Sequence, residues 1–226
     1  MITLDIEKRL HGSQGALHLE VKLEIKQGEF VVIMGESGAG KTTLLRVLAG
    51  LEKAEGKIEV EGTYWLSENK MLACQERSIG FVFQDYALFD HMTVEQNLLF
   101  VNSDKALAER LLTLTELSAL AERNVKSLSG GQKQRVSLCR AMMHKPKLLL
   151  MDEPLSSLDE KMKHKLQEEI AKLHTLFGTT TIMVSHDADA SYALADRIVV
   201  LDQGKVIKDG RKDQVLKKEQ KMVYSL

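Results

Sequence analysis

Apolar residues follow two different periods along the chain, and these periods separate predicted strands from predicted helices. Before residue 30 they occupy alternate positions, at Ile2, Leu4 and Ile6 and again from 17 to 25. This alternation predicts two half-buried strands joined by a turn at Gly12 and Gly15. Other apolar segments bounded by turn residues predict strands at 30–34, 57–61, 64–66, 79–85, 148–154 and 179–187, and a terminal hairpin at 197–208.

Helical spacing replaces the strand pattern in the middle of the chain. From Thr93 to Arg123 apolar residues recur every three or four positions without an intervening strand, and Thr93 with Gln96 forms a capping box. Further helices are predicted after Ser129, between Asp159 and Gly178, and in the charged tail 213–226. The pattern therefore predicts a helical lobe at 87–145, inserted into an α/β core formed by 1–86 and 146–226.

A glycine-rich segment joins the strand at 30–34 to a helix that is apolar on one side. It has the pattern Gly, four residues, Gly-Lys-Thr, and comprises Gly35, Glu36, Ser37, Gly38, Ala39, Gly40, Lys41, Thr42 and Thr43. Gly35, Gly38 and Gly40 are expected to adopt positive φ, which lets backbone N–H groups converge on phosphate oxygens at the start of a helix. Lys41 is then placed to reach the β- and γ-phosphates, and the Thr42 hydroxyl to bind Mg²⁺. The alternative is a simple glycine turn.

Polar side chains end three of the predicted strands. They are Gln84, the pair Asp152 and Glu153, and His186. Ligands of α/β proteins bind at the carboxyl ends of parallel strands. In phosphate-loop NTPases one carboxylate at such an end anchors Mg²⁺, and a neighbouring carboxylate is placed to take a proton from an attacking water. The pattern thus indicates roles of this kind for Asp152 and Glu153.

A second glycine-containing segment opens a helix at Leu128, Ser129, Gly130, Gly131 and Gln132. Ser129 and Gln132 have the spacing of a capping box, and the two glycines leave backbone N–H groups uncovered. Such a helix end can bind an anion. Taken alone, the segment would be interpreted as an ordinary capped helix in preference to an anion site.

Composition narrows the class of protein. The chain has 226 residues, a net charge of −1 and 28% charged residues, so its overall charge does not indicate nucleic acid as a partner. Its apolar runs are far shorter than the ~20 residues needed to cross a bilayer, and the first residues do not resemble a secretion signal. Cys74 and Cys139 lack metal-ligand spacing. We therefore expect a cytosolic chain with reduced thiols.

Taken together, these motifs resemble those of the nucleotide-binding subunits of ATP-binding cassette (ABC) transporters. They occur in the order of that family: the phosphate loop at 35–42, the Q-loop residue Gln84, the signature at 128–132, the acidic pair 152–153, the D-loop at 157–159 and the switch histidine His186. The resemblance covers essentially the whole chain. Each motif alone is weak evidence, and their joint order is specific.

The resemblance implies a fold class: an α/β phosphate-loop NTPase (RecA-like) core with an antiparallel β subdomain and an inserted α-helical subdomain. It also implies ATP and Mg²⁺ as cofactors and a head-to-tail dimer of two copies that encloses two ATP molecules. In such a dimer the signature helix of one copy closes over the ATP bound by the phosphate loop of the other.

The resemblance also assigns a role to each site residue. Lys41 binds phosphate, Thr42, Gln84 and Asp152 hold the metal ion, Glu153 is the general base, and His186 steadies the γ-phosphate and the attacking water. ATP is further contacted by the rest of the phosphate loop, by Asp159 of the D-loop and, from the opposing copy, by Ser129, Gly130, Gly131 and Gln132.

Two departures from the family pattern stand out. Related proteins stack adenine on an aromatic residue ahead of the phosphate loop, whereas residues 1–29 contain no Tyr, Trp or Phe, so that His11 or Leu10 would have to take this place. Asp90 stands where similar importers have proline, and we expect only a local effect. Members with a regulatory carboxyl-terminal domain are longer, so we expect no such domain in this chain.

The finer features resemble bacterial importers more than exporters. Leu155 follows the acidic pair as in importers, and segments around Tyr64 and Gln84 are most similar to molybdate-type subunits. The resemblance therefore implies a peripheral ATPase on the cytoplasmic side of the inner membrane, which works with transmembrane permease subunits and a solute-binding protein to import molybdate or a related oxyanion. Residues 84–92 would face the permease, with Tyr86 and Phe89 as either contact or core residues.

Three alternatives belong to other classes. The chain could serve another ABC transporter, for a different solute or for lipoprotein release or export. It could be a soluble ABC ATPase of DNA repair or cluster assembly, although repair members usually contain a long coiled coil that this sequence lacks. A phosphate-loop kinase or GTPase would share residues 35–42 but would have no use for residues 129–132.

Overall fold

The computed structural model describes residues 1–12, 15–68 and 70–216, without the side chains of residues 11, 12 and 15. Its strands are β1 (Ile2–Gly12), β2 (Gly15–Ile25), β3 (Phe30–Met34), β4 (Glu55–Val60), β5 (Thr63–Ser67), β6 (Lys70–Met71), β7 (Ile79–Val82), β8 (Leu148–Asp152), β9 (Thr180–Val184), β10 (Arg197–Asp202) and β11 (Lys205–Arg211). Its helices are α1 (Lys41–Ala49), α2 (Val94–Leu99), α3 (Lys105–Leu114), α4 (Gly130–Met142), α5 (Glu160–Phe177), α6 (Ala188–Leu194) and α7 (Lys212–Val215).

The chain folds into two compact units. The first contains Met1–Arg77 and the segment from Thr180 onward, and the second contains Ser78–Thr179. Each unit combines strands with helices, so the α/β class predicted from the sequence is confirmed. The functional division into a core of 1–86 plus 146–226 and a helical lobe of 87–145 is a different partition and stays a prediction.

The sheet of the first unit joins antiparallel and parallel strands. Its order is β6-β5-β4-β1-β2-β11-β10-β3-β9. The predicted pair of alternating strands is confirmed, because β1 pairs antiparallel with β2 from Ile2–Ile25 to Gly12–Gly15. On the other side of the sheet, β3 lies between the parallel strands β10 and β9. The predicted terminal hairpin is confirmed as β10 and β11.

Strand β3 is the buried centre of the parallel part, and all five of its residues are buried. Its neighbours explain why the sequence there is uniformly apolar, since a strand flanked on both sides and covered on both faces has no polar side. Helix α1 follows directly and buries Leu44, Leu45, Val47 and Leu48. This strand, loop and helix unit places the glycine-rich segment at the carboxyl end of β3.

Arg77 ties the antiparallel strands to the end of α1. Its guanidinium is 2% exposed, donates from one nitrogen to the carbonyls of Val47 and Leu48 at 2.8 and 2.7 Å, and lies 5.5 Å from the centre of the Trp65 ring. Other nitrogens donate to the carbonyls of Trp65 and Leu72 at 3.1 and 3.0 Å. The cation thus satisfies the last carbonyls of the helix, which an α-helix leaves without internal partners.

In the second unit, β7 and β8 pair in parallel, from Ile79–Leu148 to Val82–Met151. Helix α4 approaches β7 so closely that a Cβ on Gly80 would lie 2.6 Å from the carbonyl oxygen of Ala141. The helical region predicted between Thr93 and Arg123 forms α2 and α3, and the capping box of Thr93 and Gln96 is confirmed.

Three predicted strand ends need correction. Strand β9 ends at Val184, so His186 lies beyond the strand predicted at 179–187. Strand β7 ends at Val82, so Gln84 lies in the turn beyond the strand rather than at its last positions. Strand β8 ends at Asp152, and Glu153 has a φ of 46°, so that the backbone turns between the two carboxylates. In the predicted helical tail, α7 covers Lys212–Val215, and residues 217–226 lie outside the described part of the chain.

Candidate nucleotide-binding site

The glycine-rich segment has the backbone geometry of a phosphate cradle. Gly35, Gly38 and Gly40 have φ values of 148°, 85° and 98°. These values lie in the region that only glycine adopts without strain. At Gly35 the requirement is also steric, because a Cβ there would lie 2.0 Å from the carbonyl oxygen of Leu201 on β10. The sequence prediction of positive φ for these glycines is confirmed.

Lys41 folds back over this loop. Its ammonium donates to the carbonyls of Gly35 and Glu36 at 2.8 and 2.7 Å, and the residue is only 7% exposed. Two loop carbonyls thus hold the ammonium over the glycine-rich segment. The residue thus fits the predicted role of a phosphate ligand.

The first turn of α1 faces the same place. Its N-cap residue is Gly40, which has no side chain to cap the free N–H groups. Thr42 is exposed and Thr43 is half-buried in this turn, while Glu36, Ser37 and Gly38 are exposed on the loop before it. An uncapped helix end next to a buried lysine is a strong site for a phosphate group.

His186 follows the neighbouring strand of the first unit. Strands β3 and β9 run parallel, with Ile33 opposite Val184, so the glycine loop and His186 leave the same edge of the sheet. The backbone around His186 is fixed on both sides, because Ser185 accepts from the Asp187 N–H at 3.1 Å and Asp187 caps α6. The imidazole itself is exposed. The first unit therefore places the phosphate loop and His186 on one edge.

The second unit brings together the other predicted polar groups of the core. Val82 on β7 pairs with Met151 on β8. Gln84 lies two residues beyond the end of β7, and Asp152 ends β8 with Glu153 directly after it. Asp152 is 7% exposed, whereas Gln84 is exposed. The carbonyl of Glu153 accepts from the Ser156 hydroxyl at 3.0 Å, which supports the left-handed residue in the turn.

Helix α4 begins at the predicted signature segment. Ser129 accepts from the Gln132 N–H at 3.3 Å, and the Gln132 side chain accepts from the Ser129 N–H at 2.9 Å, so the predicted capping box is confirmed. Gly130 is exposed, and Gly131 is buried against Met162, whose terminal methyl would lie 2.3 Å from an added Cβ. Small residues thus allow close packing on one side and leave backbone N–H groups open on the other.

The D-loop is connected to this region through Tyr86. The Tyr86 hydroxyl lies 3.3 Å from Oγ of Ser157, and a Cβ added to Gly130 would lie 3.1 Å from it. Asp159, a predicted ATP contact, accepts from the Met162 N–H at 3.0 Å and is the N-cap of α5. The structure thus gives Asp159 a capping function, and its contact with ATP stays a prediction.

A buried pair of charged residues joins α4 to α5 in the second unit. Arg135 donates to the carbonyl of Thr115 at 3.0 Å and lies 3.5 Å from Glu169, which is 6% exposed. Burial raises the pKa of Glu169 to about 7, although Arg135 and Lys165 lower it. The sequence analysis missed this pair. The signal that could have revealed it is a charged residue on the apolar side of each of two amphipathic helices.

The predicted metal ligands have suitable chemistry for Mg²⁺. Thr42, Gln84 and Asp152 offer a hydroxyl, an amide and a carboxylate oxygen, which are hard donors. Within the described residues, no group of three or more His, Cys, Asp or Glu side chains forms a metal cluster. Mg²⁺ is commonly held by few protein ligands together with phosphate oxygens and water. The donor set is thus compatible with the predicted cofactor.

One of the two residues suggested for contact with adenine lies next to the glycine-rich segment. Leu10 is half-buried, and its Cδ1 would lie 3.7 Å from a Cβ added to Gly40 at the start of α1. The side chain of His11, the other residue suggested for adenine, lies outside the described residues. Leu10 is therefore the candidate for contact with adenine that the structure places next to the glycine-rich segment.

No helix among the described residues is both long enough and apolar enough to span a bilayer.

A family model described as ABC transporter matches residues 19–156. Two curated relatives carry the name sulfate/thiosulfate import ATP-binding protein CysA. The one from Mesorhizobium japonicum is 43% identical over 213 residues, covering 88% of this chain and 60% of that protein. The other, from Chlorella vulgaris and named as probable, is 44% identical over 215 residues, which cover 91% of this chain and 89% of that protein.

A third relative is the sn-glycerol-3-phosphate import ATP-binding protein UgpC of Chromobacterium violaceum. It is 41% identical over 220 residues, which cover 93% of this chain and 58% of that protein. The chain thus spans about three fifths of the length of these bacterial relatives.

Solved structures agree with the sequence comparisons. A dimeric ATP-binding cassette in a post-hydrolysis state, bound to ADP and Pi, has a TM-score of 0.80 at 31% identity, covering 94% of this chain and 99% of that one. The cbiO1 protein of Clostridium perfringens, part of an ABC transporter complex, has a TM-score of 0.83 at 28% identity, covering 97% and 91%. The predicted phosphate-loop NTPase core is confirmed, and the chain belongs to the ABC transporter family.

Proposed function

We propose that this chain is the ATP-hydrolysing subunit of an importer and that ATP drives the closure of two copies into a head-to-tail dimer. The observation that carries this proposal is the phosphate cradle, in which the Lys41 ammonium is held by two loop carbonyls beside the uncapped start of α1. A cradle of this kind binds the phosphates of a nucleoside triphosphate. The dimeric cassette with ADP and Pi supports the dimer.

The signature helix completes the site from the other copy. Its open N-terminus at Gly130 and Gly131 is a second positive helix end that can face the γ-phosphate. In the proposed dimer, Ser129 and Gln132 keep this end ordered through the capping box, and Asp159 orders the start of α5. A transferred phosphoryl group gains charge on its outer oxygens, so donors on two sides stabilise it.

Hydrolysis requires a base for the attacking water. We assign this role to Glu153, because a carboxylate next to the metal-binding Asp152 can accept the proton of the water as its oxygen attacks phosphorus. His186 would hold the γ-phosphate and the water in line. When bound, Mg²⁺ neutralises phosphate charge, with Thr42, Gln84 and Asp152 as its protein ligands. The products are ADP and phosphate.

The names of the relatives indicate the chemical class of the transported solute. The curated relatives named above import sulfate, thiosulfate or sn-glycerol-3-phosphate by their printed names, which supports an oxyanion or organic phosphate. They do not support the molybdate-type assignment that the sequence favoured. We infer transport of a sulfate-like oxyanion through transmembrane permease subunits, supplied by a solute-binding protein, with this chain on the cytoplasmic side of the membrane.

An apolar surface on the second unit is available for the permease. Phe100 is 62% exposed, and its ring packs against that of Phe89 with the centres 4.6 Å apart and the planes tilted by 55°. Val101 beside it is also exposed. Exposed aromatic residues of this kind are typical of interfaces. Tyr86, the other residue considered for this role, instead directs its hydroxyl toward Ser157. We therefore propose Phe89 and Phe100, rather than Tyr86, as permease contacts.

The Glu153→Gln variant tests the catalytic assignment. We expect ATP binding to persist, turnover to fall by on the order of a hundredfold or more because the base is lost, and an ATP-bound dimer to accumulate. Sedimentation with and without ATP measures the dimer, and phosphate release measures turnover. Glu160→Gln is a matched control, since Glu160 is an exposed carboxylate at the start of α5. Normal hydrolysis by Glu153→Gln would remove this residue from its role.

The solute is tested separately, with the chain co-purified with its permease and reconstituted into vesicles. ATP-dependent uptake of labelled sulfate, with competition by thiosulfate, is the expected result. Uptake of molybdate with no effect of sulfate would replace the inferred solute without affecting the assignment of Glu153.

A further inference from the structure

The turn after Gln84 is held in an unfavourable backbone conformation. Tyr86 and Ala87 are consecutive non-glycine residues with φ values of 64° and 47°. Within the turn, the Tyr86 N–H donates to the Phe83 carbonyl at 3.1 Å and the Ala87 N–H to the Asp85 carbonyl at 2.8 Å. A left-handed conformation strains a non-glycine residue and persists only when its surroundings hold it.

The signature helix α4 supplies these surroundings. Arg140 donates from one guanidinium nitrogen to the Ala87 carbonyl at 2.6 Å and from another to the Tyr86 carbonyl at 3.1 Å. The Ser137 hydroxyl donates to the same Tyr86 carbonyl at 3.0 Å. Ser137 is fully buried and lies three residues before Arg140, on one side of the helix. Two residues of α4 therefore fix the carbonyls of both strained residues.

The guanidinium is also fixed on its other face. It lies 5.6 Å from the centre of the Phe89 ring, and burial lowers the pKa of Arg140. Charge-assisted hydrogen bonds are stronger when water is excluded from them. A planar guanidinium can donate to two neighbouring carbonyls at once and stack on a ring, and a lysine ammonium lacks this geometry.

The same turn touches the beginning of α4. The Tyr86 hydroxyl lies near Gly130, where an added Cβ would be 3.1 Å away, and it is 3.3 Å from Oγ of Ser157. Residues at the start and toward the end of α4 thus contact one short turn. Because rigid packing resists gradual deformation, a displacement of α4 is expected to move the turn with it.

From this geometry we propose that Arg140 is a positioning residue that fixes Gln84 relative to the signature helix. It acts on hydrolysis through Gln84 and makes no contact with ATP itself. This inference rests on the proposed role of Gln84 at the metal ion. It adds that the Gln84 side chain reaches its working position only while Arg140 holds the Tyr86–Ala87 turn, so that one helix controls both the Q-loop and the signature.

A double-mutant comparison of turnover tests this proposal. Arg140→Gln should lower kcat by about tenfold, because an ångström-scale misplacement of a catalytic group has effects of this order or more. ATP affinity, which depends on the phosphate loop, should change by less than about twofold. Arg140→Lys should retain an intermediate kcat, since an ammonium can still donate to one carbonyl. The Mg²⁺ concentration that gives half-maximal turnover should rise by a similar factor in Arg140→Gln and in Gln84→Ala.

The distinguishing variant combines Arg140→Gln with Gln84→Ala. If Arg140 acts through Gln84, the double variant has the kcat of Gln84→Ala alone, within about twofold. A general structural role predicts instead that the two losses multiply. Ala87→Gly, placed in the Arg140→Gln background, should recover part of the lost kcat, because glycine adopts the left-handed conformation without strain.

Arg110→Gln is the matched control. Arg110 lies on α3 in the same unit and also covers an aromatic ring, with its guanidinium 5.7 Å from the centre of the Phe177 ring. The kcat of the Arg110→Gln variant should equal that of the native protein. Multiplying losses in the double variant, or full kcat in Arg140→Gln, would overturn the positioning role. Unchanged kcat in Gln84→Ala would instead refute the role proposed for Gln84 at the metal ion.

Discussion

Replacement of Arg77 by methionine removes a buried cation but retains much of the side-chain volume. The native guanidinium donates to four carbonyls, those of Val47, Leu48, Trp65 and Leu72, at distances from 2.7 to 3.1 Å. Burial lowers the pKa of Arg77, so the charge itself is held at some cost. The substitution leaves the four carbonyls without this donor and removes the positive charge from the end of α1.

The expected loss follows from these contacts. A hydrogen bond to a charged group contributes about 1.5–3 kcal/mol, so four of them set a gross value of roughly 6–12 kcal/mol. Part of this is offset, because methionine avoids the desolvation of a cation and water can reach some of the carbonyls. Breaking a buried charged network costs about 3–5 kcal/mol, and we expect a loss of stability in that range.

Urea unfolding at neutral pH measures this loss. With a slope of about 2.5 kcal/mol per molar urea, the midpoint should fall by roughly 1–2 M. Arg46→Met is the matched control, because Arg46 also lies in the last turn of α1 but forms a half-exposed ion pair with Glu52 at 2.9 Å. Its loss should stay below about 1 kcal/mol. Equal midpoints for the two variants would show that the Arg77 contacts do not stabilise the unit.

Two further predictions concern the cradle and the buried pair. Lys41→Ala should weaken ATP binding by at least about tenfold, because a charge-assisted contact with phosphate is lost. Calorimetry measures the affinity, and Lys57→Ala, which removes an exposed lysine, is the control. Unchanged ATP affinity in Lys41→Ala would refute the role of Lys41 in the cradle. The pKa of Glu169 is raised by burial to about 7, above the ordinary 4.5, so the folded protein binds more protons between these values and should lose stability as pH rises through them. The urea midpoint of the native protein should therefore fall more between pH 5 and pH 8 than the midpoint of Glu169→Gln. An equal change in the two proteins would contradict the predicted loss of stability with rising pH.

Local chemistry made much of the fold predictable. The run 30–34, the glycines after it and the apolar side of α1 each pointed to one conformation, and the two capping boxes marked helix starts at Thr93 and Ser129. Hairpins were predictable because their strands are neighbours in sequence. The order of the sheet was not, since β2 meets β11 through Lys205 and Glu20, which are far apart in the chain.

The candidate site shows the same division. Positive φ at Gly35 and Gly40 followed from the motif, because the chemistry of a cradle requires it. The left-handed conformation of Glu153 and the position of Gln84 beyond its strand did not follow, since both depend on contacts of the turns. The buried partners of Arg140 were equally hidden, because backbone carbonyls have no sequence signature.

The position of β3 has a consequence for the protein during synthesis on the ribosome. Its two neighbours, β9 at Thr180–Val184 and β10 at Arg197–Asp202, lie about 150 or more residues later in the chain. The glycine loop and α1 are therefore translated long before the strands that flank β3 emerge. At ordinary elongation rates of about 5–20 residues per second, the nascent apolar segment 30–34 stays without these partners for roughly ten to thirty seconds.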